Sequence, residues 1–454
     1  MFKNSLDKDF KEMYSIGNIL SLIQFICILS FLDIFKKGRV KMDGSFKLPN
    51  GFFDYVGEPA ELMESVSQEF IQLGKLFGFQ VANLCAVGFE ENFTQFGTAA
   101  IDRTYSFHDP GGRKLMLCAD SLAASLRAFR NILHNNQTQS MRLMSRVSIF
   151  RNRRLKYRNW SHLVCNIFNE EIGLGPELLL TNFANDFLKK YYKDITFWIY
   201  DFELFEILFK EFHVSHEDGK HLLYLIYTKK DLGLAKEKFD NNLVDAIIDI
   251  EKLGLSSEDY KHSFNLIVSK YPFLSERLEY LSLFLNFVQN SNIPFRFKWD
   301  AYRAIEYHSG LAFCVYDNES GVLIADGGGY HCMVNSLDSS IFSCYSFACS
   351  LESIVEHILS KDPSIKAKSE LCNTANLDAS MNFFIETCEF LRKLGIPVKE
   401  YWSIVSLKKF LRKLDASESY CVVGSFEEST RVVKIQNLND KNRIVEYLIP
   451  HNSS

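Results

Sequence analysis

Residues 311–329 constrain what this chain can fold into more than any other stretch. Leu311–Asp317 (LAFCVYD) is a short apolar run, Asn318–Gly321 (NESG) is a turn, and Val322–Asp326 (VLIAD) is a second run. Two such runs around a four-residue loop ending in glycine describe a β-hairpin. Gly327, Gly328 and Gly329 follow directly, ahead of Tyr330 and His331. Consecutive glycines let the backbone take φ > 0 and let a ligand approach where a Cβ would collide, so the triplet predicts a glycine turn beside a site.

The rest of the chain bounds the setting of that hairpin. Its 454 residues, 47% of them apolar, leave room for two or three domains with proper cores. A net charge of −5 argues against nucleic-acid binding through bulk charge. The 11 cysteines are scattered with no C-x-x-C pair, so no zinc ribbon or redox motif is visible, and free thiols suit a reducing cytoplasm. We therefore expect a cytoplasmic protein with no metal site. His308 and His331 read as packed residues, since neither has a second ligand at helical or strand spacing.

In chain order, residues 16–35 (IGNILSLIQFICILSFLDIF) are the one membrane-like segment, interrupted by Asn18, Gln24 and Asp33. Three readings stand: a helix packed on the body, a membrane anchor, or a non-native extension ahead of a start at Met42. Pro59 opens a helix to about Phe77, with Leu62, Val66, Phe70, Leu73 and Phe77 on one stripe, and Phe79–Val87 reads as a strand. His108–Arg113 is a turn and Lys114–Cys118 a strand. From Ser121 to Asn169 there is no acidic residue but nine arginines or lysines, which predicts a local positive face. Residues 174–299 read as helical almost throughout, an insertion with apolar spacings of three and four. The polar stretch 361–376 reads as a linker. Helix and strand patterns then alternate through 377–454, with Gly395 ending the helix Ala379–Leu394.

Several of these stretches resemble one family. Arg303, Glu306-Tyr307-His308-Ser309-Gly310 and Gly327-Gly328-Gly329-Tyr330-His331 are similar, in order and spacing, to the arginine, the (E/D)-Y-Y-T-G strand and the G-G-R-Y-D turn of histidyl-tRNA synthetases. The form E-Y-H-S-G most resembles their non-catalytic relative, the regulatory subunit of ATP phosphoribosyltransferase. Leu48-Pro49-Asn50-Gly51 is similar to the L-P-x-G with which relatives begin. The resemblance implies an α+β, class II aminoacyl-tRNA synthetase-like antiparallel sheet with helices over residues 42–360, behind an extension at 1–41. It also implies a small anticodon-binding-like α/β domain at 377–454.

The same resemblance assigns residues. Pro59–Val87 is similar to motif 1, a dimer-forming element, with Cys85 where the family has proline; this implies a homodimer. Tyr105–Arg127 resembles F-x-D-x-x-G-R-x-L-x-L-R-P-E-x-T, whose acid and threonine hold the amino group of histidine; here they are Asp120 and Leu122. The implied histidine-binding set is Asp120, Arg303, Tyr307 and Tyr330. Phe150-Arg151 resembles motif 2, whose arginine clamps the ATP α-phosphate, a task suited to a guanidinium fork. Asn166–Gly173 (NIFNEEIG) resembles the returning strand Q-x-G-x-E-x-x-G, and Thr228–Ala235 the K-D-x-x-x-L segment of regulatory subunits. Ala348–Ser353 aligns with motif 3, G-x-G-x-E-R, keeping Glu352 but placing Ser353 where an arginine lies along the ATP phosphates. Arg151 and Glu352 are thus the residues for any retained nucleotide site.

The functions implied are a regulatory subunit that binds histidine or a catalytic ATP phosphoribosyltransferase partner, an active histidine–tRNA ligase, or a paralogue with another binding role. No cofactor is required for the first, whereas the second needs ATP and Mg. No residue that would read an anticodon can be placed, so tRNA binding has no identifiable residues.

Overall fold

The computed structural model describes residues 47–94, 104–135, 139–152, 156–252, 260–298, 308–361, 371–404, 406–414, 419–437 and 444–450. Arg303, Tyr307 and the apolar segment 16–35 lie outside the described residues. The chain divides into two compact units. One takes described residues up to Asp54, Cys85–Arg127 and Val147–Ser161; the other takes Tyr55–Leu84, Ala128–Arg146 and everything from His162 onward.

Along the chain come β1 (Gln80–Val81), then a small group, β2 (Val87–Phe89), β3 (Ser106–His108) and β4 (Lys114–Leu117), then a long pair, β5 (Met141–Phe150) and β6 (Asn159–Phe168). β7 (Ile195–Asp201) and β8 (Phe295–Phe297) bracket a run of helices. β9 (Leu311–Asp317) and β10 (Leu323–Gly329) form the hairpin, and β11 (Cys344–Ser350) leads into the helix Leu351–Lys361. The C-terminal strands are β12 (Cys372–Asn376), β13 (Val398–Tyr401), β14 (Ser419–Val423), β15 (Val432–Asn437) and β16 (Ile444–Leu448).

The large sheet runs β1-β5-β6-β11-β10-β9-β7-β8. Its centre is antiparallel, and only the outer pairs β1–β5 and β7–β8 are parallel. Alternate residues of each strand enter one core: Leu163, Cys165 and Ile167 of β6, Phe197 and Ile199 of β7, Phe313 and Val315 of β9, Phe347 and Cys349 of β11. Helices cover that face. Phe183, on the helix Leu174–Leu188, is the hub. Its ring meets Phe70, Phe77, Phe79 and Phe347 at centroid distances of 5.4, 5.4, 5.7 and 5.8 Å. The helix Glu58–Leu76, opened by Pro59, is docked through that cluster as the sequence predicts, whereas the strand expected over Phe79–Val87 is confined to Gln80–Val81.

The glycine triplet is not a turn. Gly327, Gly328 and Gly329 lie in β10, opposite Phe347, Ser346 and Tyr345 of β11. They are needed because the neighbouring strands leave no room for a side chain. A Cβ on Gly327 would sit 2.7 Å from the Phe313 ring and 2.8 Å from the Ser346 carbonyl oxygen. One on Gly328 would sit 2.6 Å from the Ala312 Cα, at a φ of +152° that other residues rarely adopt. The close approach is of backbone to backbone.

Within the stretch read as helical, Ile195–Asp201 is a strand, paired with both β8 and β9. ITFWIYD is apolar on both faces, and a strand buried on both faces loses the alternation that distinguishes it from a buried helix. The helices that the apolar spacing predicts over Lys220–Lys236 and Ser256–Gln289 are also broken. A π-helical turn at Leu225–Lys229 ends at Lys230 (φ 53°), and Pro272 opens a 3₁₀ turn before the helix Ser275–Asn290. Cys372–Asn376, read as the end of a linker, is the strand β12, buried throughout. It pairs in parallel with β13 and β14 in a second sheet, ordered β13-β12-β14-β15-β16, that has its own core around Phe383, Phe384, Cys388 and Cys421. Among the described residues no helix is long and apolar enough to cross a membrane.

If the glycines of β10 serve strand packing, Gly327→Ala should destabilise the fold by about 1–3 kcal/mol, the usual cost of forcing a methyl group into a filled core. Urea unfolding measures this. A variant as stable as the parent would refute the packing role.

Candidate functional site

In the second unit the hairpin gathers an aromatic and imidazole cluster. Tyr330 follows β10 directly, held by its amide to the Cys344 carbonyl at 2.8 Å. Its ring lies 4.4 Å from that of His308, which stacks on Phe202 at 5.6 Å with an interplanar angle of 8°. His331 is buried; its Nδ1 accepts the Cys344 amide at 3.1 Å, and its ring meets Tyr345 edge-on at 4.5 Å. Burial lowers the pKa of both imidazoles to about 4, so each is neutral at physiological pH. The expectation that these histidines are packed residues agrees with this geometry. No group of three or more His, Cys, Asp or Glu side chains among the described residues could hold a metal ion.

In the first unit, two residues assigned to different ligands are partners of each other. Arg151 Nη2 lies 3.4 Å from Asp120 Oδ2, and its Nε donates to the Ala119 carbonyl at 2.7 Å. The guanidinium also lies 5.5 Å from the centre of the Trp160 ring. The second Asp120 oxygen accepts the Leu122 amide at 2.8 Å, at the start of the helix Ser121–His134. A carboxylate there satisfies a free helix amide and complements the helix dipole. Leu122 is buried.

The returning strand shows a similar change in the second unit. Where the Q-x-G-x-E-x-x-G pattern has its first glycine, this chain has Phe168, fully buried and stacked on Phe129 at 4.6 Å and 6°. Phenylalanine fills volume above the strand that glycine leaves open. Glu170, at the acidic position, is held by Arg142 through two hydrogen bonds of 2.5 and 2.8 Å.

Four of the nine basic residues of the run are paired with carboxylates, which reduces the positive face expected from the sequence. Arg130 pairs with Asp338 at 2.8 Å, Arg146 with Glu64 at 2.7 Å, Arg142 with Glu170 and Arg151 with Asp120. Arg127 is spent on the Val87 and Cys85 carbonyls. Two of these acids, Asp120 and Glu170, flank the run, and Glu64 and Asp338 come from farther along the chain. Arg153 and Arg154 lie outside the described residues.

At motif 3, β11 passes straight into the helix Leu351–Lys361, with Glu352 buried in its first turn. Ser353 stands where the arginine is expected, and its amide donates to Ser350 Oγ at 3.3 Å. In the C-terminal domain Glu428 takes the amide and hydroxyl of Ser380, while Asp378 takes those of Ser425. Carboxylates thus satisfy the amides at the starts of both helices.

The sequence reading missed one cluster. Glu177 accepts from the Tyr280 hydroxyl at 2.7 Å, and Arg277 forks onto Asp201 at 2.7 and 3.0 Å and reaches Glu203 at 3.0 Å. The paired residues are 103 and 76 positions apart, so no local pattern announces them. A small cavity of about 10 Å³, room for about one water, lies beside Glu177, Thr181, Gly328 and Tyr345.

A mainly antiparallel sheet with helices on one face, ending in the strand-to-helix passage Cys344–Lys361, defines a class II aminoacyl-tRNA synthetase body. The family model for histidyl-tRNA synthetase matches residues 51–354. The histidine–tRNA ligase of Mycoplasma mobile is 23% identical over 410 residues, covering 87% of this chain and 88% of that protein. That of Methanocaldococcus jannaschii is 22% identical over 419 residues, covering 89% and 95%. The crystal structure of histidyl-tRNA synthetase from Nostoc sp. PCC 7120 superposes with a TM-score of 0.73 at 16% identity, covering 89% of this chain and 97% of that one. A Bacillus halodurans structure, named as an ATP phosphoribosyltransferase regulatory subunit/histidyl-tRNA synthetase, gives 0.70 at 14% identity, covering 85% and 100%. The chain belongs to the histidyl-tRNA synthetase family.

Asp120→Ala should lower stability by about 1 kcal/mol, the usual value of a helix cap, while Asp120→Asn should keep most of it. Thermal melting distinguishes them. Equal losses would show that the ion pair to Arg151, and not the cap, is what Asp120 contributes.

Proposed function

We propose that this chain is a non-catalytic member of the family that works by binding, as the regulatory subunit of an ATP phosphoribosyltransferase at the first step of histidine biosynthesis. The observation that carries the reading is Ser353, at the start of the motif 3 helix with its amide bonded to Ser350. Removing a fixed cation from a phosphate that develops charge costs several kcal/mol of transition-state stabilisation. Leu122, the Asp120–Arg151 pair and the Phe168–Phe129 stack support it, because each replaces a ligand contact with an internal one. No cofactor is needed for this role.

The protein would work as a homodimer through the helix Glu58–Leu76 and β1. β1 is an edge of the large sheet, and Val81 within it and Leu76 at the end of the helix are exposed. The family resemblance assigns histidine binding to Arg303, Tyr307, Tyr330 and Asp120.

A second reading, an active histidine–tRNA ligase using ATP and Mg through Arg151 and Glu352, is favoured by the span of the curated ligases. They match 87% and 89% of this chain.

Mixing the purified chain with a short-form ATP phosphoribosyltransferase catalytic chain should give a complex by sedimentation and raise its turnover. The chain alone should sediment as a dimer at micromolar concentration, and Val81→Asp should shift it toward monomer. No complex and no change in turnover would count against the regulatory reading.

A further inference from the structure

The three-stranded group β2-β4-β3 in the first unit has one packed face and one open apolar face. Its antiparallel register sets Phe89, Leu115 and Phe107 in a single row across the three strands, with Val87 beside Leu117 in the next row. Gly88 and Met116 point to the other side, where Met116 is fully buried and a Cβ on Gly88 would meet the Phe93 ring at 2.9 Å. On the open side Phe89 and Phe107 keep 40% and 43% of their surface exposed, although the Arg113 guanidinium lies over Phe89 at 5.5 Å. A contiguous apolar patch of this kind marks a contact surface, because covering it removes apolar area from water.

The described chain begins beside this face. Phe52 meets Tyr105 edge-on at 5.8 Å. The Tyr105 carbonyl accepts the Leu117 amide at 2.9 Å, which continues the β3–β4 ladder. Tyr105 is two residues ahead of Phe107, so the pleat puts both on the open side. Gly51 is pinned through its carbonyl by the Arg158 amide at 2.8 Å, and Phe53 meets Tyr157 at 5.4 Å. The start of the described chain therefore has a fixed place in this unit, with Leu48 and Phe53 themselves exposed.

Forty-six residues precede Lys47, among them the apolar run 16–35. Residues 36–47 join that run to Leu48; they are mostly polar, carry Gly38 and Gly44, and reach up to about 40 Å when extended. Three strands are only about 10 Å across, so the run can lie over any part of the sheet. Asn18, Gln24 and Asp33 would be disfavoured inside a bilayer, whereas on a protein face they can turn to water. A second copy seated on the sheet would leave the run of each chain uncovered.

We propose that the apolar run 16–35 docks on the open face of β2-β4-β3 in its own chain, covering Phe89, Leu115 and Phe107. The inference is independent of the regulatory reading. It makes the run an internal cover of the first unit.

Photo-crosslinking in the full chain tests this. With Phe107→p-benzoylphenylalanine, irradiation should join position 107 to a peptide from 16–35. In an equal mixture of light and heavy-isotope chains, the joined peptides should be both light or both heavy. The same probe at Leu266, exposed on the helix Tyr260–Lys270 of the second unit, should not label 16–35. Chymotrypsin should cut within 16–35 about tenfold faster in Phe107→Asp than in the parent, the effect of losing one phenylalanine's burial. The full chain should stay in solution when vesicles of phosphatidylcholine and phosphatidylglycerol are floated. Mixed light–heavy pairs would assign the face to a second copy and overturn the proposal. So would no crosslink to 16–35, equal labelling from Leu266, or a cutting rate unchanged by Phe107→Asp. Co-flotation that is lost on removing residues 1–41 would overturn it in favour of a membrane anchor.

Discussion

The structure depends on how closely three backbones approach at β10. Gly327 and Gly328 sit where the Phe313 ring, the Ala312 Cα and the Ser346 carbonyl occupy the space of any side chain. That contact fixes β9 and β11 on either side of β10 and so sets the register across the centre of the sheet. From it follow the position of Tyr330 at the end of β10, the burial of His308 and His331, and the passage of β11 into the motif 3 helix. A bulkier residue would move the strands apart, and no neighbouring atom could yield without breaking a ladder.

Around this frame, several polar groups are turned toward the protein. Asp120 caps a helix and pairs with Arg151; Glu170 is forked by Arg142; Ser353 completes a helix terminus with Ser350. Phe168 and Phe129 fill volume with stacked rings. Each exchange supplies a contact that needs no bound molecule. This is the physical basis for reading the chain as a binding subunit.

Much of the fold was legible in the sequence because its signals are local. The hairpin, the helix after Pro59 and the motif 3 strand and helix each carry their own period and punctuation. What escaped is non-local. β7 is apolar on both faces, so its seven residues offered no alternation to set it apart from the helices around it. β12 was hidden among polar residues whose burial is decided by β13 and β14. The glycine triplet was assigned to a turn because its crowding comes from β9 and β11. The positive face was expected from charge counts, and Glu64 and Asp338 reduce it from distant parts of the chain by pairing Arg146 and Arg130. Of the candidate histidine set, Asp120 and Tyr330 can be placed, while Arg303 and Tyr307 lie outside the described residues.

The central claim is that the chain has left adenylation chemistry behind. Histidine-dependent exchange of labelled pyrophosphate into ATP by the purified protein tests it most directly. The account predicts no exchange above background at saturating ATP, Mg and histidine. Exchange that depends on histidine and disappears in Arg151→Ala would contradict it and identify the chain as a working ligase.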